Sequence, residues 1–148
     1  MLKLIIFLRP FAWYFLIAWV LTIVTFSSLP NIPTLKIHTA RAEFRLDYLM
    51  HICEYSVLTF ITFLLFARND FRINYKKYIL VTLSLIMFAV LDELHQKFIP
   101  GRSYNIMDIL SNIGGILVAV IFCIIVFRKI ARRIRNEGIQ SIPEGLHQ

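Results

Sequence analysis

The run Asp92-Glu93-Leu94-His95-Gln96-Lys97-Phe98-Ile99-Pro100-Gly101-Arg102-Ser103 lies between two strongly apolar segments, and Asp108, Asn112 and Gly115 follow soon after. These side chains can take up protons, bind metals or hold phosphates. Where a membrane segment meets its loop such groups cost energy, and they are kept when something polar has to happen there. A second set sits upstream. Asp47, His51 and Glu54 follow i, i+4, i+7 spacing, so they share one helix face with Tyr55 at its side. A histidine with a carboxylate three residues away is an acid/base pair or two-thirds of a metal site. The same residues also suit a buried hydrogen-bonded network that pins helices together, and the spacing leaves both readings open. Asp92 and Glu93, each a helical step from Gln96, are candidates to bind a metal or share a proton. Arg102 offers a forked donor for phosphate or carboxylate. Ser103 is a weaker candidate nucleophile, because no base is tied to it by sequence.

The elements that must position these groups are membrane helices. The chain has 148 residues, 58% of them hydrophobic, and a mean hydropathy of +0.69; a soluble domain is nearer about 45–50% apolar. Four apolar stretches carry the excess: Phe11–Leu29, Leu49–Ala67, Tyr78–Leu91 and Ile106–Phe127. About 20 helical residues are needed to cross roughly 30 Å of hydrocarbon. The third stretch is too short alone, so its helix must run on through Asp92 and Glu93 towards Phe98. The expected fold is therefore all-α, a polytopic membrane protein with four transmembrane helices. One domain covers residues 1–135, and a polar tail, 136–148, is expected to be loosely ordered. The first stretch is too long for a typical signal-peptide core and no Ala-x-Ala site follows it, so it reads as a retained helix.

Cations concentrate at the N-terminus (Lys3, Arg9), in the second loop (Arg68, Arg72, Lys76, Lys77) and after the fourth helix (Arg128, Lys129, Arg132, Arg133, Arg135). The first loop (Lys36, Arg41, Arg45) and the third (Lys97, Arg102) hold fewer. By the positive-inside rule both termini are expected in the cytoplasm, with loops one and three outside. The net charge of +7 is then a fringe attracted to anionic headgroups, and no nucleic-acid motif is present. Pro30 and Pro33 discourage a helix early in the first loop; from about Thr39 a short amphipathic helix is expected to lead into the second span. Cys53 and Cys123 fall at different depths, too far apart for a disulfide, and read as buried small apolar residues.

With this topology the polar residues of three helices fall in one layer, about 10 Å deep, beneath the external headgroups. Lipid cannot satisfy them, so they should face the bundle interior and each other. Each has a plainer reading beside the functional one. Asp108, three residues after Asn105, suits a capping box. Asp47 suits a helix dipole. Gly114, Gly115 and Ala119 suit close helix packing, Pro100-Gly101 a turn, Tyr48 and Tyr104 an interfacial aromatic belt. His95 has a solvated reading. Asp108, Asn112, Gly115 and Ala119 form one stripe of the fourth helix.

The run Asp92-Glu93-x-x-Gln96-x-Phe98-x-Pro100-Gly101-Arg102-Ser103-x-x-x-x-Asp108-x-x-x-Asn112-x-x-Gly115 resembles the signature of the VanZ-like membrane proteins. Asp47-x-x-x-His51-x-x-x-Tyr55 and Phe26-Ser27-Ser28-x-Pro30 are similar to other landmarks of that family. The likeness spans about residues 20–120. Tyr48 departs from it, standing where the family often has lysine. The resemblance implies a bacterial envelope protein of the cytoplasmic (inner) membrane, in a family named for a member giving low-level resistance to the glycopeptide teicoplanin. It also implies neighbourhood with membrane enzymes that act on lipid headgroups or lipid-linked cell-wall precursors. In the enzyme reading His51 is the acid/base, oriented by Asp47 or Glu54. Glu93 and Asp92 bind a metal or transfer protons, while Gln96, Arg102, Asp108 and Asn112 hold the substrate. In the alternative, the same cluster binds a lipid, a glycopeptide or a partner protein without turnover. Membrane lipids are the expected partners in both; cofactor and oligomeric state are left open.

Overall fold

The computed structural model of the chain describes residues 2–30, 36–39, 42–102 and 104–136. Helix α1 (Leu2–Leu8) passes through a 3-10 turn at Arg9–Phe11, where Pro10 sits, into α2 (Ala12–Ser28). A hairpin of β1 (Lys36–Thr39) and β2 (Ala42–Arg45) follows, then α3 (Leu46–Phe66), α4 (Tyr75–Gln96) and α5 (Ile106–Asn136). Among the described residues, four helical segments are long and apolar enough to cross a membrane: Arg9–Ser28, Leu46–Phe66, Tyr75–Gln96 and Ile106–Asn136. The body is thus the all-α, four-span bundle read from the sequence, and the third span does continue through Asp92 and Glu93, ending at Gln96.

Local chemistry sets the boundaries. Asn74 caps α4, its side chain accepting from the Lys77 amide at 3.3 Å, which satisfies one of the amides that a helix start leaves unpaired. After α4 the chain turns at Pro100-Gly101: the Arg102 amide donates to Ile99 O at 3.1 Å and Gly101 takes φ 78. Glycine tolerates that left-handed backbone where a side chain would be strained. In the second loop Phe71 takes φ 53, unfavourable for a bulky residue. Its ring is nonetheless buried, set edge-on against Phe127 with centroids 5.3 Å apart.

Two arginines tie loops to helix ends, where backbone carbonyls lack intrahelical partners. Arg9 donates to the Ala67 carbonyl just beyond α3 and to the Asn69 side chain. At the opposite end of the bundle Arg102 reaches back to the C-terminus of α2.

The pair α3 and α5 forms the most extensive contact between elements, with α2 laid on α3 and α4 on α5. Gly115 explains the closeness. A Cβ built there would run into the Ile52 carbonyl and come within 3.0 Å of the Ile52 Cα. Ser56 Oγ donates to Gly115 O at 2.9 Å across the same contact. Below it the core is apolar, with Leu58, Phe63, Ile116, Cys123 and Phe127 almost fully enclosed. The outer surface carries large apolar side chains such as Trp13, Phe15, Leu21, Leu83 and Ile121, as a surface bathed in hydrocarbon should.

The structure corrects two expectations. The first loop does not form a helix from about Thr39: Ala42–Arg45 pairs antiparallel with Lys36–Thr39, Lys36 opposite Arg45. The stretch has no apolar stripe long enough to hold a helix on the bundle, and antiparallel pairing satisfies its backbone groups instead. Cys53 is exposed on α3, whereas Cys123 is buried as expected, and both are free thiols. Past the apolar stretch that ends at Phe127, Ile130 is buried and Ile134 packs on the core, and α5 runs on through the cations to Asn136. The tail beyond it, residues 137–148, lies outside the described residues.

The helix contact at Gly115 yields a paired prediction. Gly115→Ala should destabilise the bundle by about 1–3 kcal/mol, since the backbone opposite cannot yield. Gly114→Ala, one residue away with nothing within 4 Å of its would-be Cβ, should be neutral or mildly stabilising. Thermal unfolding of the two variants in detergent measures the difference.

Candidate functional site

Four segments bring polar groups to the end of the bundle where α2 and α4 finish and α3 and α5 begin. Asp47 lies in the first turn of α3 and is half-buried; a carboxylate there also complements the helix dipole. One turn deeper, His51 Nε2 stands 3.9 Å from Asp108 Oδ2. The carboxylate facing this histidine therefore comes from α5, across the contact that Gly115 permits. Glu54 is half-buried on the same face of α3, near enough to Asp92 and Arg102 to feel their charges.

Helix α4 contributes Asp92, Glu93 and Gln96 from its last turn and a half, all buried. Asp92 Oδ2 accepts from the Tyr55 hydroxyl at 3.2 Å. Glu93 has 0% of its surface exposed; its Oε1 accepts from the Asn105 amide at 2.9 Å, and Asp108, Asp92 and Arg102 all lie within electrostatic reach. Gln96 Oε1 accepts from Arg102 Nη1 at 2.9 Å. His95, by contrast, is exposed and takes no part in the cluster.

Helix α5 starts with a capping arrangement: Asn105 Oδ1 accepts from the Met107 amide at 3.1 Å, and Asn105 Nδ2 donates to Asp108 Oδ1 at 3.1 Å. Asp108 thus serves the helix start and His51 at once, one oxygen towards each. Asn112, a turn further in, is 0% exposed. The stripe Asp108, Asn112, Gly115, Ala119 is buried throughout, as its spacing predicts.

Several buried polar atoms here have no hydrogen-bond partner among the described residues: Ser27 Oγ, His51 Nδ1, Glu93 Oε2 and both amide atoms of Asn112. Leaving such an atom unpaired costs about 1–3 kcal/mol. A purely structural network would be expected to close on itself, and this one presents a histidine nitrogen, a carboxylate oxygen and an amide with capacity to spare. Together they can pass a proton and hold a polar ligand. Among the described residues no three His, Cys, Asp or Glu side chains converge in a way that could hold a metal ion.

Arg102 is the clasp over this layer. Its Nη2 donates to Phe26 O at 2.6 Å, its Nε to Leu29 O at 3.3 Å and its Nη1 to Gln96. The sequence suggested a fork for a substrate's phosphate; in this arrangement the fork holds the third loop on the end of α2. Ser103 lies outside the described residues. Three residues named in the sequence were not among the candidate site residues. Tyr55 is the donor to Asp92, Asn105 links α4 to α5, and Ser27 is buried near the end of α2. The spacing of Tyr55 from His51, and the Ser27-Ser28 pair closing α2, were the available signals.

A family model described as VanZ/LLP1 matches residues 2–128, a span that includes every residue of the cluster. No curated protein and no solved structure matches the chain.

The clasp can be tested directly. Arg102→Gln removes charge-assisted bonds of about 1.5–3 kcal/mol together. Hydrogen exchange across the third loop, including the Asn105 amide held by Glu93, should then quicken about tenfold or more. Exchange unchanged from the wild type would mean that Arg102 merely rests on the surface.

Proposed function

The chain belongs to the VanZ/LLP1 family, and from that premise we propose that the polar layer is its working site, acting on the phosphate-bearing headgroup of a lipid or lipid-linked envelope precursor. The protein sits in the bacterial cytoplasmic membrane with both termini inside, by the charge asymmetry of its loops, which sets the layer under the external headgroups. His51, polarised by Asp108, is the proton acceptor and donor. Glu93 is the second proton-bearing group, held at one oxygen by the third loop and open at the other. Asp47, Glu54 and Asp92 set the local field. Asn112 and Gln96 position substrate oxygens, and Arg102 exchanges the α2 carbonyls for the substrate's phosphate when the loop lifts. The observation that supports this most directly is the pairing of His51 with Asp108 beside unpartnered atoms of Glu93 and Asn112.

A second reading has its own support. Arg102 already spends three donors within the chain. A closed, clasped layer suits a protein that holds a headgroup, a glycopeptide or a partner protein without turning anything over.

Lipid and peptidoglycan-precursor mass spectrometry separates the two. Overexpressed wild type should change the profile, and His51→Ala and Glu93→Gln should each abolish that change at equal protein level. Three identical profiles would end the enzymatic reading; retention of a headgroup by wild type and its graded loss in the variants would favour the second. Teicoplanin susceptibility in the same strains tests the link to resistance that the family's name carries.

A further inference from the structure

At the end of the bundle opposite the polar layer, the second loop and the last turns of α5 enclose a cavity of about 790 Å³. Four of its lining residues are arginines: Arg72 from the loop, and Arg128, Arg132 and Arg135 from α5. The three on the helix follow i, i+4, i+7 spacing and so form one ridge. Its apolar wall is built from Phe71, Ile73 and Ile134, with Phe71 held in place by its left-handed backbone and its contact with Phe127.

The arginines are not equivalent. Arg128 stands over the Tyr75 ring, 5.9 Å from its centroid, and donates to the Tyr75 hydroxyl, so its plane is fixed. Arg72 lies 3.4 Å from Asp70, a carboxylate shared with Arg68 at 3.5 Å. Among the described residues Arg132 and Arg135 have no hydrogen-bond or ion-pair partner. The lining therefore contains four guanidinium groups and a single carboxylate, which is already engaged. Forked donors in this number match the oxygens of a phosphate group.

Depth identifies the source of that phosphate. The apolar part of α5 ends at Phe127 and Arg128 follows at once. About 22 residues of helix from Ile106 span roughly 33 Å, close to the hydrocarbon thickness of a bilayer. The cavity accordingly lies in the headgroup layer, cationic where the phosphate would sit and apolar where the glycerol and first acyl carbons would follow. We propose that this cavity is a binding site for the phosphate headgroup of an anionic phospholipid, distinct from the polar layer and independent of what that layer does.

The test compares two double variants of the full chain that remove equal charge from the same end of the molecule. Arg132→Gln with Arg135→Gln alters the cavity; Lys76→Gln with Lys129→Gln alters exposed cations outside its lining. Retention of phosphatidylglycerol and phosphatidylcholine is read by native mass spectrometry from detergent, with inorganic phosphate as competitor. Wild type and the lysine variant should retain phosphatidylglycerol alike and in preference to phosphatidylcholine. The arginine variant should retain it about tenfold less or weaker still. Equal loss in both double variants would reduce the arginines to a diffuse fringe and overturn the site. Equal retention of the two lipids would overturn it as well. Displacement by inorganic phosphate at matched concentration would assign the cavity to a free anion rather than a lipid.

Discussion

Helices α3 and α5 meet without a side chain between them at Gly115, and the geometry of the polar layer follows from that contact. Because the Ile52 backbone rests directly on α5, His51 is drawn to within 3.9 Å of Asp108. Ser56 can then reach across to the Gly115 carbonyl. An extra methyl group at this point would wedge apart two elements whose polar groups have nowhere else to turn, since hydrocarbon offers no hydrogen bonds. Close packing by small residues is a general way to hold membrane helices together. Here it also sets the distance between the side chains most able to move a proton.

The third loop completes the layer from above by linking ends that are distant in sequence. Glu93 holds the Asn105 amide, Gln96 holds Arg102, and Arg102 holds the C-terminal carbonyls of α2. Arg9 does the corresponding work at the other end for α3. Each arginine donates to carbonyls at or just beyond a helix C-terminus, where a cation also interacts favourably with the helix dipole. The bundle is thus closed at both ends by side chains donating to backbone, with apolar packing between.

Much of this was legible in the residues. The four spans followed from hydropathy, and the burial of Asp108, Asn112, Gly115 and Ala119 followed from helical periodicity. The turn at Pro100-Gly101 followed from backbone preferences alone. What escaped depended on contacts between segments far apart in the chain. The partner of His51 was sought on its own helix, because spacing within a helix is visible in a sequence and the register between two helices is not. Arg102 was read as a free fork, since the carbonyls it meets belong to the backbone and carry no residue code. The hairpin before α3 was likewise decided by pairing between two short segments, not by local composition.

Helix α5 gives the two ends of the molecule a common shaft. It is continuous from Ile106 to Asn136, with Asp108 and Asn112 near its start and Arg132 about 36 Å further along. A helix of this kind turns and slides as one body more readily than it bends. The polar groups at one end of the bundle and the arginines at the other are thus mounted on a single unbroken element.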